Sequence, residues 1–206
     1  MWDTLYKMPN LKYYFRLSSG WKYVSSGRDT ALAINQNDEI FSFEIVSFDE
    51  SGNMQFELKQ LWGNLSKVSV HKGVAWGVSA DNKMWKASVE EAKVGIDAWV
   101  EIDNPFRINQ IEIGEFGVFG TNGPTEVFYR VGTHKNSDSA GTRWQLLAGR
   151  LTHISSGFNS VYGVSHDTLF WEMQSDISFN DQGEMVWQGD LWNYQPEKTG
   201  INISTL

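Results

Sequence analysis

The sequence contains no cysteine. A disulfide framework, a thiolate nucleophile and a Cys-ligated zinc or iron–sulfur centre are therefore all excluded. Proline is scarce, with four residues, and basic residues are outnumbered: 17 Lys plus Arg against 25 Asp plus Glu give a formal net charge of -8. That balance leaves no positive footprint for a phosphate backbone, so nucleic acid is not the expected partner. Long apolar runs are missing too, and no membrane insertion is expected. The opening stretch MWDTLYKMPNLKYYFRLSSG carries charges throughout and lacks the apolar core and small-residue cleavage site of a secretory signal. The expected location is cytoplasmic, or outside the cell by a route without a recognisable signal peptide. What is abundant is tryptophan and glycine, 10 and 19 residues, in a chain of 206 that is 41% hydrophobic and 20% charged. Such a composition describes one folded domain or two small ones, not a disordered chain.

Four segments superpose. They are Val24-Ser25-Ser26-Gly27 with Leu32-Ala33-Ile34-Asn35, Val68-Ser69-Val70-His71 with Trp76-Gly77-Val78-Ser79, Ile111-Glu112-Ile113-Gly114 with Phe119-Gly120-Thr121-Asn122, and Ile154-Ser155-Ser156-Gly157 with Tyr162-Gly163-Val164-Ser165. Their anchors step by 44, 43 and 43 residues. Each is followed by an apolar pair, Ile40-Phe41, Met84-Trp85, Val127-Phe128 or Leu169-Phe170, and three are preceded by an aromatic that opens a strand, Phe56, Trp99 or Trp144. Four short β-runs per unit of about 40 to 45 residues, separated by Gly, Asn, Asp and Ser turns, predict the blades of an all-β propeller. Trp187 to Ser204 supplies the first three runs of a fifth unit, and Asp3-Thr4-Leu5-Tyr6 resembles Asp167-Thr168-Leu169-Phe170. The expectation is a single five-bladed domain over residues 1–206, with blades near 9–50, 51–90, 91–135, 136–178, and 179–206 plus 1–8. In that reading the N-terminal strand pairs in the last blade and removes an exposed edge.

Alignment of the units separates scaffold from decoration. The small residues Ala33, Gly77, Gly120 and Gly163 are expected in the innermost runs, where backbones crowd toward the axis. The aromatics Tyr6, Phe41, Trp85, Phe128 and Phe170, and the apolar residues Trp21, Leu65, Ile108, Leu151 and Leu191, recur and are expected between blades as core. Trp2, Trp62, Trp171 and Trp192 do not recur: their counterparts are mostly polar, although Tyr129 aligns with Trp171. These positions are expected to face solvent, where an indole stacks on a sugar face or anchors a protein partner; partly covered aromatics closing irregular loops are the alternative. The turn after the third run is polar in every unit and contributes Asn37, Asp81, Asn122 and His166. Short amides and carboxylates there bind vicinal sugar hydroxyls, or they simply make turns.

Catalytic signals are lacking. The four histidines, His71, His134, His153 and His166, fall in different registers, and neither a GxSxG elbow nor an HExxH pair occurs. The turn at Asp81-Asn82 lacks the alternating acidic residues of a calcium loop. No enzyme, metal or cofactor is expected.

The stretch from Trp144 through Ile154-Ser155-Ser156-Gly157, with Val161-Tyr162-Gly163-Val164-Ser165 and Asp167-Thr168-Leu169-Phe170, resembles a tectonin repeat, as in tectonins and fish-egg-type lectins. Trp62 to Trp85, with Gly63-Asn64-Leu65 and Ala75-Trp76-Gly77-Val78-Ser79, matches nearly as well. The third unit departs at Glu112, where Ser is usual, and the first has Ala33 for Gly. This resemblance implies a propeller that binds glycans or lipopolysaccharide between blades, hence a multivalent lectin. Val24 to Ala33 followed by Asp38-Glu39-Ile40-Phe41 also resembles the repeat of the regulator-of-chromosome-condensation propellers. Those serve protein partners, so an adaptor is the rival reading.

Overall fold

The computed structural model describes residues 20–195 apart from 28–29, 49, 51–53, 96–97 and 158–159. The first sheet is built from β1 (Trp21–Ser26), β2 (Ala31–Asn35), β3 (Glu39–Phe48) and β4 (Met54–Asn64). The second holds β5 (Lys67–His71), β6 (Val74–Val78), β7 (Met84–Ser88) and β8 (Val100–Ile102), with a one-turn helix α1 (Val89–Ala92) before its last strand. The third holds β9 (Ile108–Gly114), β10 (Gly117–Asn122), β11 (Glu126–Arg130) and β12 (Trp144–Arg150). In the fourth, β13 (His153–Ser156), β14 (Val161–Val164) and β15 (Phe170–Met173) are followed by a detached hairpin, β16 (Ser178–Phe179) and β17 (Met185–Val186). The chain then returns as β18 (Trp192–Tyr194), which pairs with β15. All pairings among the described strands are antiparallel, and each sheet follows chain order except that β15 pairs with β18 across the β16–β17 hairpin.

The first strands touch in succession, β1 against β5, β5 against β9, and β9 against β13. They form an inner wall from which each sheet radiates, which makes the fold a β-propeller. The wall is stitched by side-chain oxygens: Ser25 Oγ accepts the Val70 N–H at 3.1 Å, and Ser69 Oγ accepts the Ile113 N–H at 3.1 Å. Second strands are covered on both faces by neighbouring blades, so β6 (VAWGV) and β10 (GVFGTN) are buried at every position. That is why they read as continuous apolar runs and not as alternating ones. Among the described residues no helix is long and apolar enough to cross a membrane.

Several expectations are corrected. The described residues form four four-stranded blades where five were expected; of the fifth blade expected over 179–206 plus 1–8, residues 1–8 and 196–206 lie outside the described residues. The strands taken to open a unit are hydrogen-bonded to the sheet before them: β4 pairs with β3, β8 with β7 and β12 with β11. Each four-stranded sheet therefore begins one strand later than the period suggested, and β18 completes the fourth sheet instead of opening a fifth. The small residues sit on the second strands, and the nearest obstacle to a larger residue at the three glycines is an aliphatic side chain, joined at Gly77 by the Lys67 backbone carbonyl, 2.8 Å from a Cβ built there. A Cβ on Gly77 would lie 2.3 Å from Leu65 Cδ1, one on Gly120 2.8 Å from Ile108 Cδ1, and one on Gly163 2.3 Å from Leu151 Cδ1. The recurring aliphatic and the recurring glycine are two halves of one packing contact.

The third-strand register is also corrected. Ala33, Gly77, Gly120 and Gly163 pair with Phe41, Trp85, Phe128 and Trp171. Trp171, not Phe170, thus recurs with the other aromatics. The turns confirm the match, since the left-handed residue falls at Asp38, Asn82, Thr125 and Thr168, with φ of 66°, 67°, 68° and 66°. Asp167 is then the partner of Asp81, and His166 that of Ala80.

Candidate functional site

The three outer tryptophans share one register. Opposite Trp85, Phe128 and Trp171 stand Glu101, Leu146 and Tyr194, and two residues before each is Trp99, Trp144 and Trp192. Each of these indoles donates its Nε1–H to a carbonyl at the end of the preceding blade's outer strand. Trp99 bonds Trp62 O at 2.7 Å, Trp144 bonds Asp103 O at 3.1 Å, and Trp192 bonds Ala148 O at 2.7 Å. An indole is large enough to span the gap where two blades splay apart, and its single donor finds a partner in the strand-end carbonyl across that gap.

Between the first and second blades this arrangement leaves a cavity of about 210 Å³, lined by Gly63, Asn64, Leu65, Ser79, Asp81, Trp85 and Trp99. Trp85 and Trp99 are half-buried, so each ring leaves part of its surface open. Trp85 Nε1 donates to Ser79 Oγ at 3.2 Å, and Ser79 Oγ donates to Asp81 Oδ1 at 2.5 Å. The Ser79 hydroxyl is the leading cause that holds the Asp81 carboxyl below its ordinary value. Asp81 is therefore ionised at neutral pH and presents acceptor oxygens at the mouth, beside two aromatic walls. Lys83 Nζ lies 5.9 Å from the Trp85 ring and 3.1 Å from Glu101 Oε2. A second, more open hollow of about 410 Å³ shares Gly63 and Asn64 and adds Glu39, Gln60, Leu61 and Trp62.

The residues expected from sequence divide. Trp62 is 56% exposed and Asp81 is exposed in the turn, and the shared Gly63 and Asn64 bring their two hollows together. Asn37 is exposed beside them, and Asn64 Nδ2 donates to its carbonyl at 3.3 Å. Trp171 is half-buried against the core, with Nε1 donating to Ser165 Oγ at 3.0 Å, the same bond that Trp85 makes. Trp192 is 8% exposed and Tyr129 is fully buried, so neither faces solvent as expected. Trp192 packs over Gly149, whose φ is +92°; a Cβ built there would lie 2.7 Å from Trp192 Cδ1, so the ring fits only because the side chain is missing. Asn122 is buried and makes a turn: its Oδ1 accepts the Glu126 N–H at 2.9 Å and its Nδ2 donates to Glu126 Oε2 at 2.6 Å. Asn180 and Glu184 repeat that clasp in the β16–β17 hairpin. His166 is exposed in its turn, one position away from the Asp81 register, and Trp2 lies outside the described residues. Sequence reasoning had Ser79 in the polar turn with Asp81 but passed over Trp85 and Trp99, which it read as recurring scaffold, and over Asn64. The Ser-x-Asp of both the Ser79 and Ser165 turns, six residues before a Trp, was the available signal.

A family model described as Tectonin domain matches residues 3–195. The chain belongs to the tectonin family. Several solved structures are similar to this tectonin domain in fold. Yeast RCC1 (Prp20), in a complex with Kap60, is 10% identical with a TM-score of 0.52, over 77% of this chain and 44% of that one. Human WBSCR16 is 15% identical with a TM-score of 0.52, over 83% and 51%. A chain of a nidogen/laminin complex is 12% identical with a TM-score of 0.51, over 75% and 59%. The tectonin domain thus spans about half the length of the structures it matches, and at these identities the likeness shows the fold alone. No curated protein matches.

Proposed function

We propose that this tectonin domain is a non-enzymatic lectin that binds surface glycans or lipopolysaccharide sugars in the groove between its first and second blades. The observation that supports this reading most is the cavity framed by Trp85 and Trp99 and edged by the Ser79–Asp81 pair. An indole offers a sugar's C–H face a flat apolar wall, and a hydroxyl–carboxylate pair receives adjacent hydroxyl donors. Drug-sized ligands occupy pockets of roughly 300–1,000 Å³. A space of about 210 Å³ suits a single ring.

One ring on one wall gives single-site affinity near millimolar, about −4 kcal/mol, and display on a surface raises avidity by roughly 10² to 10⁴. On an immobilised glycan and lipopolysaccharide panel, Asp81→Asn and Trp85→Ala are expected to lower binding at least tenfold. Asp81→Asn is expected to do so with an unchanged melting temperature, because the side chain is exposed. Retained binding in both variants, or no glycan bound while affinity purification returns a stoichiometric protein partner, replaces the lectin with the adaptor.

The proposal includes ring closure by a fifth blade that the N-terminal segment shares. Removal of residues 1–8 is then expected to lower the melting temperature of the whole domain. An unchanged melt would leave closure without support.

A further inference from the structure

The groove motif occurs at all three described blade junctions, and the three copies differ in a way that predicts which of them bind. This inference rests on the glycan reading of the first groove. At the junction of the third and fourth blades, Gly149, Leu151, Ser165, Asp167, Trp171 and Trp192 occupy the places of Gly63, Leu65, Ser79, Asp81, Trp85 and Trp99. The internal bonding is the same: Trp171 Nε1 donates to Ser165 Oγ, Ser165 Oγ donates to Asp167, and Trp192 Nε1 donates to the preceding strand-end carbonyl. Gly149 has the positive φ of Gly63, 92° against 95°.

The junction of the second and third blades departs twice. Its turn has Pro124 where the others have Asp81 and Asp167, and its Asn122 is committed to Glu126, so the hydroxyl–carboxylate pair is missing. Its link is longer as well. Trp62 to Leu65 and Ala148 to Leu151 each take three steps, whereas Asp103 to Ile108 takes five. The extra length carries Phe106 into the groove. The Phe106 ring stacks on Phe128 with centroids 3.8 Å apart and meets Trp144 edge-on at 5.6 Å. Phe128 is the counterpart of Trp85, and Trp144 that of Trp99. Asn82 holds the link down, with its Oδ1 accepting the Ile108 N–H at 3.0 Å and its Nδ2 donating to Phe106 O at 3.3 Å.

The geometry points to a domain with two glycan grooves, at the first and third described junctions, and to Phe106 as a built-in occupant that closes the groove between them. The occupant also shows what the slot accepts. A flat six-membered ring lies on the third-strand aromatic and abuts the outer-strand tryptophan. The ligand class is accordingly a pyranose, stacked on Trp85 or Trp171, with its hydroxyls toward Asp81 or Asp167.

The test follows the indole N–H signals of the ¹⁵N-labelled protein, assigned by single Trp→Phe variants. The probes are the methyl pyranosides of glucose, galactose, mannose and N-acetylglucosamine, each titrated to ~10 mM or above to match millimolar binding. With at least one probe, the signals of Trp85 and Trp171 are expected to move while that of Trp144 stays fixed. In Phe106→Ala the Trp144 signal is expected to move as well, and the dispersion of the other indoles reports that the fold is kept. Movement of Trp144 in the unaltered protein, or of Trp85 without Trp171, overturns the two-groove assignment, and neither result needs a variant at position 106. A fixed Trp144 in folded Phe106→Ala overturns the role of Phe106. Silence of every indole toward every probe instead counts against the glycan reading itself.

Discussion

Glu112→Gln is expected to stabilise the domain by about 2 kcal/mol at pH 8 and to change little at pH 5. Glu112 stands on the inner wall where β1 and β5 carry Ser25 and Ser69, and like them it accepts a backbone N–H from the next inner strand, that of Ser156. The Ser69 hydroxyl is its second donor. Burial outweighs both bonds and pushes the carboxyl up from its ordinary 4.5 to about 7. The same surroundings raise the Tyr23 phenol to about 12, first through burial and then through the Glu112 charge. A carboxyl whose folded value lies above its unfolded value contributes stability that is fully present below about 4.5 and is lost as pH rises through about 7. The displacement sets an upper bound of about 3 kcal/mol, and partial solvent access reduces it. Glutamine keeps the acceptor for Ser156 and removes the charge. Urea unfolding of both proteins at pH 5 and pH 8 measures the difference. An equal effect at the two pH values, or a loss at pH 8, would show that the ionised carboxylate is well accommodated at the axis.

Gly163→Val is expected to cost about 3 kcal/mol, and at roughly 2–4 °C per kcal/mol for a chain of this size the melting temperature should fall by ~6–12 °C. The added carbon would stand 2.3 Å from Leu151 Cδ1, and Leu151 is buried at 2% exposure with little room to retreat. Leu151→Ala alone should cost about 2–5 kcal/mol by leaving a hole. Because the two residues share one contact, the double variant should be more stable than the sum of the single losses predicts, by 1 kcal/mol or so. Strict additivity in a double-mutant cycle would refute the pairing of glycine and leucine as one packing unit. Gly123→Ala is the control. Nothing lies within 4 Å of a Cβ built there, so the expected change stays within about 0.5 kcal/mol.

The two cases mark where the sequence was legible. Glu112 stood out as a carboxylate in a serine register before any coordinates, because a repeat provides its own internal reference. Its partner Ser156 and the burial that displaces its titration were not visible, since both depend on which strand lies beside β9. The glycine register was visible in the same way, yet its cause was assigned to backbone crowding because the leucine that fills the space lies 12 residues earlier in the chain, Leu65 before Gly77 and Leu151 before Gly163.

The repeat period, the all-β propeller class and the family resemblance were determined by the sequence alone, because strand alternation and turn chemistry are local and recur every 43 or 44 residues. Tertiary structure decided three things that local pattern does not carry. It decided where one blade ends, because β4, β8 and β12 pair backward and nothing in their own residues states the direction. It decided that Trp171 and not Phe170 continues the aromatic register; side chains alternate faces along a strand, so a slip of one residue exchanges the groove face for the opposite one. And it decided which tryptophans frame grooves, because the Nε1–H bonds of Trp99, Trp144 and Trp192 reach carbonyls 37, 41 and 44 residues away. Contacts at that separation exist only once the blades are packed side by side.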